Sequence, residues 1–184
     1  MVDCRNIADY SGGKRSAGTY TAPTEVGNDL TAAIFMLDGT LYELPVPVSE
    51  FLDNGWTIKQ KPSYIVCNGE GEITVEKAGA KLTLKITNFA KYQTIAENCV
   101  VTSITVDDTD GVDITLPGGL TFESSKADVD SVITEDFYCS ESTYKHYYSY
   151  SDYSERDFSI YLYVDAESDK LCEIRISCEN IVFE

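Results

Sequence analysis

Nucleophilic catalysis by serine or cysteine usually requires a base beside the nucleophile, most often histidine. The chain has one histidine, His146, within Tyr144-Lys-His-Tyr-Tyr-Ser-Tyr150. Alternation along a strand groups it with Tyr144, Tyr148 and Tyr150, which reads as an aromatic-packed surface histidine rather than a base. No G-x-S-x-G supports a triad. Glycoside hydrolysis needs two carboxylates with one pKa raised by an apolar setting. Among 31 acids, close pairs arise by chance, and none is marked that way. Asp107-Asp108-Thr-Asp110-Gly111-Val-Asp113 has the flavour of a calcium loop. With Gly111 at the sixth position of an EF-hand, however, Val106 and Pro117 fall at the first and twelfth, so the match fails and a solvated turn remains. Asn68-Gly-Glu-Gly71 lacks the strand-to-helix context and the lysine of a phosphate loop.

Six cysteines, Cys4, Cys67, Cys99, Cys139, Cys172 and Cys178, contain no C-x-x-C pair. With one histidine, that argues against zinc. Cys172 and Cys178 share a strand face with Ile174 and Ile176, which makes them small core residues. A Cys67–Cys99 disulfide between neighbouring strands is left open. The expectation is a non-enzymatic chain with no cofactor and no metal.

The richer signal is aromatic. Tyrosines crowd into 138–163 outside any cofactor motif. On Phe158 to Asp165, Phe158, Ile160, Leu162 and Val164 point to a core, so Tyr161 and Tyr163 point away from it. On the next strand Glu173, Arg175 and Ser177 share that outer face. Tyrosine and arginine dominate protein interfaces because they bury much area at low entropy cost. Aromatic faces also stack on sugars. The candidate ligand-binding residues are Tyr161, Tyr163 and Arg175 with Tyr148 and Tyr150, and the candidate partner is a protein or a glycan. The competing structural explanation is cross-strand tyrosine pairing. Rival functions are a small hydrolase using carboxylates or His146, which requires a deep pocket, and a structural domain that homodimerises through its sheet.

The elements that position these residues form an α+β chain of two tandem units. Residues 1–29, rich in Gly, Ser, Thr and Asp, read as a flexible segment. The first unit, 30–113, begins with strands flanking Asp38-Gly39, a hairpin dipeptide. Pro45 and Pro47 end that pairing. Val48, Phe51 and Leu52 then mark one face of a short helix, with Gly55 at its C-cap and Trp56 as a core plug. Strands follow at Tyr64 to Cys67, Glu72 to Lys77, Lys81 to Asn88 and Val100 to Val106. Strict alternation in Lys81 to Asn88 indicates an antiparallel sheet with one wet face.

The second unit, 114–184, repeats the plan. A capping box over Ser125 to Asp128 opens a helix carrying Val129, Val132 and Ile133. Strands follow at Tyr144 to Tyr150, Phe158 to Asp165 and Leu171 to Cys178. Each unit is a short helix packed on an antiparallel sheet, entered through a Leu-Pro step (Leu44-Pro45, Leu116-Pro117), which suggests an internal duplication.

Bulk properties narrow the partners. The formal net charge of −17 opposes nucleic acids and anionic membrane surfaces, which need a cationic face. No apolar run approaches the length of a bilayer span, so membrane insertion of this chain is not expected. Leu37-Asp-Gly-Thr-Leu-Tyr-Glu-Leu-Pro-Val-Pro-Val-Ser-Glu-Phe-Leu-Asp-Asn-Gly-Trp56 resembles the opening of a group of uncharacterised secreted proteins and lipoproteins of Gram-positive gut bacteria. Ile114-Thr-Leu-Pro-Gly-Gly-Leu-Thr-Phe-Glu-Ser-Ser-Lys-Ala-Asp-Val129 is similar to their second-half signature. A remoter likeness is to the tandem units of beta-lactamase inhibitor proteins and related outer-membrane assembly lipoproteins. The resemblance implies an extracellular or cell-surface protein and supplies no catalytic residue. Cys4 lacks the preceding apolar segment that would identify a lipid attachment site.

Overall fold

Asp38 and Gly39 have φ of 46° and 77°, the left-handed pair that a two-residue hairpin turn requires. They join β1 (Ile34–Leu37) to β2 (Thr40–Glu43), with Leu37 opposite Thr40. The computed structural model describes residues 20–153 and 157–178. Most of the expected N-terminal segment therefore lies outside the described residues. In its last part Tyr20 packs on the core, and its hydroxyl accepts the Glu43 N–H. Further on, Gly118 N–H donates to the Gly27 carbonyl.

β3 (Val46–Pro47) leads directly into α1 (Val48–Asp53), which buries Val48 and Phe51. Gly55, at φ 89°, reverses the chain, and Trp56 is buried against the edge of the Phe51 ring, with 6.2 Å between centroids. Four strands follow: β4 (Thr57–Gln60), β5 (Glu70–Lys77), β6 (Ala80–Thr87) and β7 (Val100–Asp107). After β8 (Ile114–Thr115), Ser125 caps α2 (Lys126–Val132) through the expected capping box with Asp128. Four more strands close the described chain: β9 (Tyr138–Glu141), β10 (Lys145–Asp152), β11 (Phe158–Asp165) and β12 (Lys170–Cys178).

The molecule is thus largely antiparallel sheet with a few short helices. The four strands after α1 and the four after α2 form one sheet, in the order β4-β5-β6-β7-β12-β11-β10-β9, with β3 paired beside the start of β7. The last strand of each half meets the other at β7–β12, where Ile104 faces Ile176 and Val106 faces Ile174. A second sheet, β2-β1-β8, joins the first hairpin to the start of the second half. One core runs through everything: the inward side chains of the large sheet cluster with Phe35 and Leu37 of β1, Phe51 of α1 and Val129 of α2. The opposite side chains of the large sheet contribute nothing to that core.

Several details depart from expectation. Tyr64 to Cys67 is not a ladder strand but a loop with a single bridge, Ile65 to Thr94. The fully buried Asn88 amide shares its two N–H groups among the carbonyls of Ile65, Val66 and Tyr92, and Thr94 N–H also donates to Ile65. The strand that follows Trp56 is β4 instead. The hairpin ladder does end before the prolines, at Glu43, but Val46 and Pro47 start a new pairing, with Val101 and Val100 of β7. Cys172 is not an inward core residue. A register shift after Tyr163 puts it in a bulge, where its thiol donates to the Tyr163 carbonyl, and Leu171 takes the buried place. Cys99 is a buried free thiol, so the Cys67–Cys99 bridge is not formed; Cys67 is disulfide-bonded nonetheless. Cys4 lies outside the described residues.

Candidate functional site

Strand parity decides which tyrosines can meet a ligand. β11 buries Phe158, Ile160, Leu162 and Val164, so Tyr161 and Tyr163 project from the opposite face, as expected. Arg175 stands directly opposite Tyr161, and Glu173 opposite Tyr163. β10 offers no such aliphatic guide, because tyrosines occupy both parities. Its register with β11 settles the matter: Tyr147 lies opposite Tyr163, whereas Tyr148 and Tyr150 lie opposite Leu162 and Ile160.

Tyr148 and Tyr150 are therefore corrected out of the exposed face. Tyr148 is 2% exposed and donates from its hydroxyl to Asp130 on α2 at 2.8 Å. Burial, reinforced by that carboxylate, pushes its phenol up to about 12. Tyr150 packs on Phe137 and Phe158. Tyr147 takes their place on the outer face, with ring centroids 5.2 Å from Tyr163 and 6.0 Å from Tyr161. Tyr138 on the edge strand β9 adds a fourth ring, 6.3 Å from Tyr147.

A charged knot ties this cluster to the middle of the sheet. Glu173 is 9% exposed, unusual for a carboxylate, and accepts from Arg175 Nε at 2.5 Å and Lys145 Nζ at 3.5 Å. The same two cations stand over the Tyr163 ring, 5.5 and 5.4 Å from its centroid. Such contacts contribute about 0.5–1 kcal/mol each at exposed sites. Burial holds the Tyr163 phenol above its usual range, Arg175 partly opposing, so it stays a neutral hydroxyl at physiological pH. Across the next ladder Asp107 faces Glu173. Burial first, then Glu173 and Asp110, push its carboxyl up.

Small hydroxyl side chains fill the rest of the face. One row crosses four strands as Ser103, Ser177, Ser159 and Ser151, with Ser159 and Ser177 hydroxyls 2.7 Å apart. A parallel row runs Thr74, Thr83, Thr105, Arg175, Tyr161, Ser149, Tyr138. At the far side the charges pair across strands, Lys85 with Glu70 at 3.1 Å and Lys59 with Glu76 at 3.6 Å.

His146 lies on the opposite face, its Nδ1 buried without a hydrogen-bond partner and 4.0 Å from Glu141 Oε1. Glu141 itself pairs with Lys126, which also holds Asp130. Among the described residues no serine or cysteine is hydrogen-bonded to this imidazole, and no group of three or more metal-ligating side chains gathers. No described helix is long and apolar enough to cross a membrane.

Sequence reasoning put Tyr161, Tyr163 and Arg175 on the outer face, where the structure also has them, and did not put Tyr138, Tyr147 and Lys145 there. The alternation of β12 had already put Glu173 beside Arg175. The placement of Tyr147 needed the partner strand. No family model, curated protein or solved structure matches the chain.

Proposed function

We propose that this protein is a non-enzymatic module that binds a macromolecule, protein or glycan, through the face carrying Tyr138, Tyr147, Tyr161, Tyr163 and Arg175. The observation that carries this reading is the one-sidedness of the large sheet. Helices and small sheet share a core with one face, while the other bears tyrosine, serine, threonine and arginine and no described element packs into a core with it. That composition is the one used by adaptable protein-binding surfaces, where rigid tyrosines supply area and small hydroxyls supply hydrogen bonds. The disulfide at Cys67 supports an oxidising compartment, and hence an extracellular or cell-surface setting. The recurrence of one helix followed by four antiparallel strands supports two tandem units derived by duplication.

The test is affinity capture from cell-envelope and mucosal glycoprotein extracts, on wild type and on the variant Tyr161→Ser/Tyr163→Ser/Arg175→Ser, with folding checked by circular dichroism. A component held by wild type and lost by the variant is the expected result. Equal capture by both, or none, makes the tyrosines architecture and ends the binding-face reading.

A further inference from the structure

The charge of the molecule is distributed unevenly about this face. Its first half sets Lys59, Lys81 and Lys85 against Glu70, Glu72 and Glu76, and its second half sets Lys145 and Arg175 against Asp107, Asp165 and Glu173. The face therefore carries about one of the chain's −17 charges, by the residues just named. Part of the excess lies at one margin of the face, as Asp108, Asp110, Glu167 and Asp169. Where β7 ends, Asp107 is followed by Asp108 and Asp110, and Asp108 N–H donates to Cys172 at the start of β12. Where β11 turns into β12, Asp165 is followed by Glu167 and Asp169. Both turns border the Tyr163 end of the face. The carboxyl of Asp107 is raised by burial first and then by Glu173 and Asp110, with Lys145 opposing.

Size points the same way. The six strands β5, β6, β7, β10, β11 and β12, each about 26 Å long and spaced about 4.8 Å apart, give a face of about 700 Å². A stable protein–protein interface takes about 800 Å² from each partner. An oligosaccharide covers only a fraction of that. A second copy of this chain would bring two acidic margins together, which the net charge opposes.

Resting on the binding-face reading, we propose that the occupant is a folded protein whose contact patch is neutral and aromatic-tolerant at its centre and ringed by lysine and arginine. Its centre lies on Tyr147, Tyr161 and Tyr163. Its basic rim pairs with the Asp107–Asp110 and Asp165–Asp169 turns. Charges at a rim set the rate of association, and buried aromatic anchors set the rate of dissociation.

The experiment uses the full chain immobilised and three probes from one envelope extract: protein retained by a cation exchanger at pH 7, protein retained by an anion exchanger, and proteinase-treated polysaccharide. Two variants accompany wild type. Tyr161→Ser/Tyr163→Ser removes the anchors. Thr105→Arg leaves the tyrosines in place and puts a bulky cation on the face beside Arg175, two strands from Tyr161, which keeps the test valid if the first variant folds poorly. Face-dependent binding, present in wild type and lost in either folded variant, is expected in the basic fraction. With the retained protein purified, association should slow about tenfold between 50 and 500 mM NaCl. Neutralising the rim with Asp108→Asn/Asp110→Asn should slow association several-fold and leave dissociation unchanged. Face-dependent binding confined to the acidic or polysaccharide fraction overturns this proposal and leaves the binding-face reading standing. A salt-insensitive association rate does the same. Binding that neither variant alters, or no binding from any fraction, overturns both.

Discussion

Leu162→Ala tests whether the two halves behave as one sheet. Leu162 is fully buried in β11, between Tyr148 and Ile174, and only β12 separates it from the first half. Truncation removes a buried isopropyl group from a position walled by strands on both sides, where collapse is hard, so the cost should be about 3 kcal/mol. With a urea slope of about 2 kcal/mol per molar for a chain of this size, the midpoint falls by about 1.5 M. Two reporters separate the halves. Trp56, the only tryptophan, follows α1 and senses the first half, while near-ultraviolet dichroism of the tyrosine cluster senses the second. If β7–β12 couples the halves, the two signals shift together and remain coincident. Ile160→Val, costing about 1 kcal/mol, should move both by about 0.5 M and guards against a variant too unstable to study. A tyrosine signal that shifts while the Trp56 midpoint stays fixed would refute the single cooperative sheet and leave two independently folding units.

Other outcomes can be stated more briefly. Gly118 has φ 76°, and a Cβ there would sit 2.1 Å from Val132 Cγ1 of α2, whereas Gly119 at φ 78° has open space. Gly119→Ala should cost about 1 kcal/mol of backbone strain, and Gly118→Ala clearly more, by thermal melting of both variants. Burial alone would raise the Asp130 carboxyl, but hydrogen bonds from Lys126 and Tyr148 outweigh it and hold it below its usual value. Its stabilising effect is thus complete above the ordinary carboxylate pKa and lost as pH falls through the lower folded value. Urea midpoints of wild type and Asp130→Asn should therefore differ most near pH 5 and converge in acid; a constant gap refutes the linkage. Burial, reinforced by Glu97, pushes the Cys99 thiol up to about 12, so a thiol reagent should label exposed Cys139 quickly and Cys99 only on unfolding. Cys67 should stay unlabelled even in denaturant until a reductant is added, read by peptide mass mapping.

What could be read ahead of the structure followed from local chemistry. The Asp38-Gly39 hairpin, the Ser125 to Asp128 capping box and the aliphatic alternation of β6, β11 and β12 each declare themselves within a few residues. The failures are non-local. Tyr64 to Cys67 has strand-like composition, but Asn88, more than twenty residues away, takes its carbonyls. Cys172 alternates correctly in sequence until a bulge against β11 advances the count by one. The run Tyr144 to Tyr150 places a tyrosine on either face, so no hydrophobic contrast fixes its parity. Only pairing with β11 does, and that pairing sends Tyr147 outward and Tyr148 inward. The joining of the halves at β7–β12 brings together two strands that begin 70 positions apart, at Val100 and Lys170, which no local signal announces.

The same parity rule that built the core also limits what the outer face can be. Every large aliphatic side chain on β11 and β12 is spent on the inner side, leaving rings, hydroxyls, Arg175 and the carboxylates of Asp165 and Glu173 outside. Cross-strand tyrosine pairs stabilise a sheet by about 0.2–1 kcal/mol each, so architecture alone accounts for some of the clustering. It does not account for the near-burial of Glu173. A carboxylate so desolvated is tolerated only because Arg175 and Lys145 both reach it, and both cations also contact the Tyr163 ring. Sheet stability alone would be served as well by threonine at position 173. A rigid, pre-paired aromatic centre instead lowers the entropy cost of binding, because its side chains are already held in place. Glu173→Thr separates the two accounts. If the knot is architectural, stability falls and partner affinity follows only to the extent that the fold is lost. If it organises the binding face, the variant stays folded by dichroism and Trp56 emission while the partner dissociates several-fold faster.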